Sequence, residues 1–345
     1  MFLYDIRVMK QNLSIKDIAK LAGVSGATVS YVINGKGGVS DEQRARIEAI
    51  IQEYDYRPNL NSRRLALRKN FLLHAVIRKE ASPACKEFYF GVFAKMTEAV
   101  QSRGYSIASV FQSDDANDEN ITEIIREKST DGFLIFQGTS PEHYREMDEQ
   151  GIPYVIINPG LDAKDTPSVI LDFEEMIYRA TRYLAEQGHR LVGFIGMDCL
   201  PVFYENTVSG FQRAAAEFGL RADPAWVTGA ACDADSAAAC MTRILAGPEL
   251  PTAIVCAQDN FAIPAMSAAK AAGYRIPEDI SFVGLDDISV AKYLDPPLTT
   301  LRIDPAELSE AALGIIFRLI GGDGATSITL SPAGVTARGS VQSVL

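Results

Sequence analysis

Residues 57–70, RPNLNSRRLALRKN, place Arg57, Arg63, Arg64, Arg68 and Lys69 around Leu60, Leu65 and Leu67. Arginine and lysine at this density neutralise phosphates, and a leucine held among them can wedge between base steps in the minor groove. The alternative for such a run is a basic, solvated linker. Elsewhere the chemistry on offer is carboxylate, amide and aromatic. Asp114-Asp115 and Asp286-Asp287 are paired carboxylates, yet no nucleophile motif, P-loop, metal-ligand cluster or dinucleotide fingerprint accompanies them, so the sequence reads as a binding protein rather than an enzyme. No cofactor is expected.

A basic segment needs a rigid element to aim it, and one stands upstream. Leu13 to Asn34 reads LSIKDIAKLAGVSGATVSYVIN. Ser14 is an N-cap, Asp17 sits in the first turn, and Ile15, Ile18, Ala19 and Ala22 recur at helical spacing. Gly23 stops the helix, Ser25 caps a second one, and Val29, Val32 and Ile33 give it a buried stripe. Helix, glycine turn, helix is the helix-turn-helix plan, whose second helix lies in the major groove. Ser40, with Gln43 three residues on, caps a third helix whose apolar face is Ile47, Ile50, Ile51 and Tyr54.

Charge separates this segment from the rest. Of 345 residues, the first 70 carry 12 Lys/Arg against 7 Asp/Glu, a net of +5, whereas the remainder carries 21 against 37, a net of −16. A basic headpiece on an acidic body suggests DNA at one end only. No apolar run reaches the length of a membrane span and no signal-peptide plan opens the chain, which points to a cytoplasmic protein with no membrane partner. Residues 1–8 read as a disordered arm or a start-site artefact ahead of Met9. Cys85, Cys199, Cys232, Cys240 and Cys256 lack metal-ligand spacing and are expected to be reduced thiols.

From Phe71 the pattern alternates strand and helix. Strands are expected at 72–77, 105–111, 132–136, 154–157, 191–195, 226–229, 253–256 and 281–284. Helices are expected at 90–103, 117–128, 142–150, 173–187, 207–218, 234–245, 260–272 and 307–320. Such alternation gives parallel sheets covered by helices, and the strand total suggests two lobes flanking a cleft.

The motifs IKDIAKLAGVSGATVSYVING, YDYRPN and RRLA resemble the DNA-binding headpiece and hinge of the LacI/GalR transcriptional regulators. The likeness continues through GHRLVGFIG (188–196), VSGFQRAAAEFGL (208–220), YRIPEDISFVGLDD (274–287), DPPLTTLRID (295–304) and ARGS (337–340). The resemblance implies an all-α helix-turn-helix headpiece at 13–57, a hinge at 58–70, and at 71–345 an α/β two-lobed effector and dimerisation domain like a periplasmic binding protein. It places lobe 1 at about 71–168 and 300–327, and lobe 2 at about 169–299 and 328–345.

The function it implies is sequence-specific regulation, most often repression, by a homodimer on double-stranded operator DNA. Affinity would be set by a small effector, a sugar or sugar derivative. The chain ends without a heptad tail, which favours a dimer over a tetramer. Gly26, Ala27 and Tyr31 match the base-reading positions, Thr28, Ser30 and Asn34 would hold phosphates, and Ser25 and Asn59 are further DNA-binding candidates. Arg63 and Arg64 flank Leu65, which matches the minor-groove lever. For Tyr31 the alternative is packing on a neighbouring helix.

For the effector the matching positions are Arg78, Phe88, Tyr89, Phe136, Asn158, Asp172, Asn206, Thr207, Gln258 and Asp286. Thr207 stands where the family usually has arginine and Gln258 where it has asparagine, so a member that has lost its effector is one alternative. Arg78, with Lys79, would suit an anionic ligand, or would be solvated at a lobe rim. The competing reading for the whole chain is a cytoplasmic small-solute-binding protein without DNA regulation.

Overall fold

The structure is a computed structural model that describes residues 13–33, 37–54, 56, 64, 67, 69–78, 83–112, 119–158, 166–231, 233–332 and 334–345, with the backbone alone at 83–87 and 119. The chain falls into two units, residues 1–70 and 71–345.

In the first unit, α1 (Ile15–Ala22), α2 (Gly26–Ile33) and α3 (Asp41–Glu53) form a small bundle. Each start is set by its cap. The Ser14 amide donates to Asp17 Oδ2 at 2.8 Å, closing a capping box with the Asp17 amide on Ser14 Oγ at 3.4 Å. These bonds to Ser14 hold the Asp17 carboxyl below its ordinary range. Gly23 ends α1 at φ 66°, a left-handed position that costs glycine little. The Thr28 amide bonds Ser25 Oγ at 3.1 Å and the Gln43 amide bonds Ser40 Oγ at 3.4 Å. Ile18, Ala19, Ala22, Val29, Val32 and Ile47 are the buried core, with Tyr56 rather than Tyr54 packed against it. Further on, Arg64 and Leu67 are helical, and the Lys69 amide donates to the Arg64 carbonyl at 3.2 Å. Asn34, Asn59, Arg63 and Leu65, like residues 1–12 and Lys79, lie outside the described residues.

The second unit contains two six-stranded sheets. The first holds β1 (Leu72–Arg78), β2 (Ser106–Gln112), β3 (Gly132–Phe136), β4 (Tyr154–Ile157), β5 (Ser168–Leu171) and β11 (Ile328–Leu330), in spatial order 11-5-4-3-1-2 and parallel throughout. The second holds β6 (Val192–Met197), β7 (Val227–Ala230), β8 (Ala253–Cys256), β9 (Ser281–Asp286), β10 (Thr299–Arg302) and β12 (Val335–Thr336), in order 12-10-9-8-6-7, with β12 antiparallel to β10. Strands such as GFLIF of β3 and VGFIGM of β6 are buried along their whole length, as parallel strands covered on both faces must be. The covering helices include α4 (Pro83–Gln101), α5 (Glu119–Glu127), α6 (Pro141–Gln150), α7 (Phe173–Glu186), α8 (Pro201–Glu217), α9 (Ala234–Leu245), α10 (Asp259–Ala271) and α11 (Pro305–Ile320).

Several expectations need correction. β5, β10, β11 and β12 escaped the sequence because runs of two to four residues, half of them polar, carry little pattern. Their pairing moves the lobe boundaries. β5 and β11 belong to the first sheet and β10 to the second, so the chain crosses between sheets after Leu171, after Arg302 and after Leu330. Each crossing lies a few residues later than the resemblance placed it. α4 and α8 begin about two turns earlier than expected because Pro83 and Pro201 start helices rather than break them. Cys199 is disulfide-bonded, which contradicts reduced thiols throughout, while Cys240 and Cys256 are free and buried. Among the described residues no helix is long and apolar enough to cross a membrane.

Helices α7 and α8 touch backbone to side, and Gly210 permits it: a Cβ there would lie 2.0 Å from the Glu174 carbonyl oxygen. Gly210→Ala is expected to lower unfolding free energy by about 2 kcal/mol, the scale of a rigid overpacking clash, as measured by denaturant titration.

Candidate functional site

Two surfaces have the chemistry of recognition. On α2, Ser25, Ala27 and Tyr31 are exposed, with Tyr31 at 45%, while Gly26, Thr28 and Ser30 are half-buried. Ala27 and Tyr31 are one turn apart and share a face. Tyr31 keeps part of its ring open to solvent and buries the rest against the headpiece. A methyl group and a phenol suit a thymine methyl and one base-edge hydrogen bond, while the Ser25 and Thr28 hydroxyls, 2.9 Å apart, are placed for backbone phosphates.

The second surface is a cavity of about 260 Å³ between the two sheets of the larger unit. It lies beyond the carboxyl ends of the parallel strands, where loops turn away and side chains converge. Arg78 at the end of β1, Asn158 after β4, Asp286 at the end of β9 and Gln258 after β8 supply polar groups from both lobes. Phe88 and Tyr89 of α4 and Asn206 of α8 complete the expected residues that line it. Phe173 and Phe203, edge to face at 4.6 Å, add an aromatic wall that the sequence reading missed. Leu200, Pro201 and Val202 join them, hidden earlier because α8 was expected to start later.

Gln137 was also missed, although it follows a strand just as Asn158 does. Both residues adopt positive φ, 69° and 58°, and Asp286 sits at 112°. Non-glycine residues rarely accept this geometry, and here it turns three polar side chains of the cavity lining off strand ends. The Gln137 amide bonds the Ile157 carbonyl at 2.9 Å and the Asn158 amide bonds the Val169 carbonyl at 2.7 Å, which hold the two turns in place. Gln258 is 8% exposed and its Oε1 has no hydrogen-bond partner among the described residues. A buried, unpaired amide oxygen costs free energy until a donor reaches it.

Three expected residues do not line the cavity. Phe136 is buried and packs against Tyr89 at a 60° tilt, with ring centroids 4.9 Å apart. Asp172 spends a carboxylate oxygen capping α7, accepting the Glu175 amide at 2.9 Å. Thr207 is fully buried, and its hydroxyl donates back to the Phe203 and Tyr204 carbonyls, each at 2.9 Å. It cannot replace an arginine in reaching a ligand.

Beneath the cavity floor Asp259, next to Gln258, is completely buried. Its Oδ1 accepts the Thr300 hydroxyl at 2.6 Å and its Oδ2 the Ile288 amide at 2.9 Å. The carboxylate thus ties the start of α10 to β10 and to the loop that follows Asp286. Gly284 makes room, since a Cβ there would sit 2.0 Å from Asp259 Oδ1. In the same layer Arg338 pairs with Asp287 at 2.5 Å and pins the C-terminal segment to this loop. Burial pushes the Asp259 carboxyl up to about 7. The two donated hydrogen bonds oppose that rise, Asp287 adds to it, and Arg338 opposes it last. Among the described residues no cluster of histidine, cysteine or carboxylate could hold a metal ion.

A raised carboxyl pKa means that the folded state holds a proton the unfolded chain has already released. Stability from this group is therefore complete below the unfolded value of 3.8 and is lost as pH climbs through about 7. Asp259→Asn should flatten that portion of a stability-versus-pH profile, read by urea unfolding between about pH 4 and 8.

Comparison with known proteins agrees with this geometry. The description "Bacterial regulatory proteins, lacI family" matches residues 14–59, and "Periplasmic binding protein-like domain" matches residues 181–341. The chain is similar to the HTH-type transcriptional repressor PurR of Pasteurella multocida, 31% identical over 314 residues that span 89% of this chain and 92% of that one. It is 29% identical to the ribose operon repressor of Haemophilus influenzae, with the same two coverages. Among solved structures, a transcriptional regulator CelR–cellobiose complex superposes with a TM-score of 0.69 at 26% identity, covering 95% of this chain and all of that one. A lac repressor dimer bound to operator and the anti-inducer ONPF shares the fold, with a TM-score of 0.75 at 21% identity, covering 96% of this chain and 100% of that one.

Proposed function

The chain belongs to the LacI family of bacterial regulatory proteins, and from that premise we propose a cytoplasmic, homodimeric repressor whose operator affinity is set by a sugar or sugar derivative held in the cavity between the two sheets. Its DNA-binding role follows from the family and from the helix-turn-helix; effector and assembly are the proposal. The observation that carries the effector is the cavity lining: Gln258, Asn158 and Asp286 bring two amides and a carboxylate from both lobes to one space that also has aromatic faces. Carboxylates and amides accept and donate to hydroxyls, and rings cover the apolar faces of a pyranose or furanose. Relatives whose names carry ribose and cellobiose support the same chemical class. Arg78 at the rim extends the choice to acidic or phosphorylated sugars.

The mechanism uses both units. Two copies of α2 enter successive major grooves, with Ala27 and Tyr31 at base edges, and Arg64 and the leucine that follows it act at the operator centre. Ligand in the cavity contacts both lobes, so it favours one lobe arrangement. Only a difference in its affinity for the DNA-competent and DNA-incompetent arrangements shifts operator binding.

A thermal-shift screen of the full chain against neutral sugars, sugar acids, sugar phosphates and nucleosides tests the effector. A sugar-class ligand should raise the melting temperature, and Gln258→Ala and Asp286→Ala should abolish that shift. A response to nucleosides alone, or to nothing at millimolar concentration, would contradict the reading. A response confined to anionic sugars that disappears in Arg78→Ala would identify Arg78 as the anion partner.

On an operator selected from random DNA, Tyr31→Ala should weaken binding about tenfold with an unchanged salt slope. Arg64→Ala should instead reduce the slope of log K against log salt by about one. Both are read by fluorescence anisotropy over a salt series.

A further inference from the structure

The geometry points to an effector with two unlike ends: a sugar ring that carries an apolar substituent, an aryl glycoside, rather than a free sugar. This rests on the preceding reading of the cavity as a sugar site and narrows it. Polar and apolar groups are not mixed evenly over the lining. Gln137 and Asn158 follow β3 and β4, Gln258 comes two residues after β8, and Asp286 ends β9, so the strand ends supply partners for hydroxyls. The starts of α7 and α8 supply an apolar wall of Phe173, Leu200, Val202 and Phe203, with Met197 at the end of β6. Of the α8 side chains that line the cavity, Asn206 alone carries a polar group. Thr207, the next residue, spends its hydroxyl on the Phe203 and Tyr204 carbonyls. A free sugar has hydroxyls around its whole rim, and those turned to this wall would lose water and find no partner. An apolar substituent on the ring meets the wall without that loss.

The wall is built at a local cost. Leu200 is the N-cap of α8 and makes no side-chain capping bond. A serine, threonine, aspartate or asparagine there would satisfy an orphan amide. The neighbouring helices begin in that way: Asp172 accepts the Glu175 amide at 2.9 Å and Asp233 the Ser236 amide at 2.7 Å. Leu200 gives up such a bond and lines the cavity instead. A helix start that breaks its own local rule is a place where function overrides stability. The wall is also preformed. Gly210 lets α8 lie against the Glu174 carbonyl, and Arg213 of α8 donates to the Glu174 and Glu175 carboxylates at 2.7 Å each. Gly196 of β6 leaves room for the Tyr204 ring, since a Cβ there would lie 2.7 Å from it. These contacts fix α8 against α7 and β6, and Phe203 meets Phe173 edge to face. A flat apolar ring then binds a surface that does not have to be ordered first.

Calorimetric titration of the full-length protein with matched methyl and phenyl pyranosides of glucose, galactose, mannose and xylose, in both anomers, tests the inference. In a pair that binds, the phenyl glycoside should bind at least about tenfold more tightly than the methyl glycoside. Leu200→Ser, which supplies the missing cap, should cut that ratio to about threefold or less. Gln258→Ala should weaken both glycosides alike and leave the ratio as it is in the wild type. A ratio taken within one variant is insensitive to any loss of stability. Methyl and phenyl glycosides of equal affinity, or a ratio that Leu200→Ser leaves unchanged, would overturn the inference while the sugar reading stands. Failure of every pair to bind would overturn both.

Discussion

The chain passes between its two sheets three times, and the cavity depends on that constraint. Each sheet alone is an ordinary layer of parallel strands, with one antiparallel edge strand in the second, and has helices on both faces. Because β5, β10 and β11 end at the crossings, the carboxyl ends of both sheets face a shared space, and Leu171, Phe173 and Ile303 at the first two crossings line it. Any change in the angle between lobes must be absorbed by these segments. A molecule that touches both lobes therefore acts on three connections at once, which suits a site meant to convert binding into a domain rearrangement.

The site is held in place by groups that never meet the ligand space. Asp259 anchors the loop after Asp286 from below, Arg338 pins the same loop through Asp287, and Phe136 backs Tyr89. Gly284 is bare because the Asp259 carboxylate occupies the volume its side chain would need. Polar residues at positive φ on the strand ends supply the reach into the cavity. Strain there is tolerated because the strands that carry them, β3, β4 and β9, are buried along nearly all of their length.

Much of this was legible in the sequence, and the exceptions share a physical cause. The headpiece helices could be read from Ser14, Asp17, Gly23 and Ser25 because caps are local chemistry. β3, β4 and β8 were read to the residue because a fully buried strand is a short apolar run. β10 and β12 depend on partners far away in the chain, so TTLR and VT carry no comparable pattern. At the site, polar residues after strands were the informative feature, and Gln137 should have been read like Asn158. Asp172 and Thr207 were chosen by resemblance, yet both find their hydrogen bonds within their own helices. Residue type at a matched position does not say where a side chain points. Nor could composition show that Cys199 is bonded, since spacing in the sequence does not say which cysteines meet in the fold.

If the protein works as proposed, the cavity and the DNA-reading helix are thermodynamically coupled. The direct measurement is a linkage cycle on the full-length protein at fixed salt. Operator affinity is determined with and without a saturating cavity ligand, and ligand affinity with and without saturating operator. Both affinities are expected to change, by the same factor, as reciprocity of binding free energies requires. A ligand that fills the cavity tightly while leaving operator affinity unchanged would contradict it.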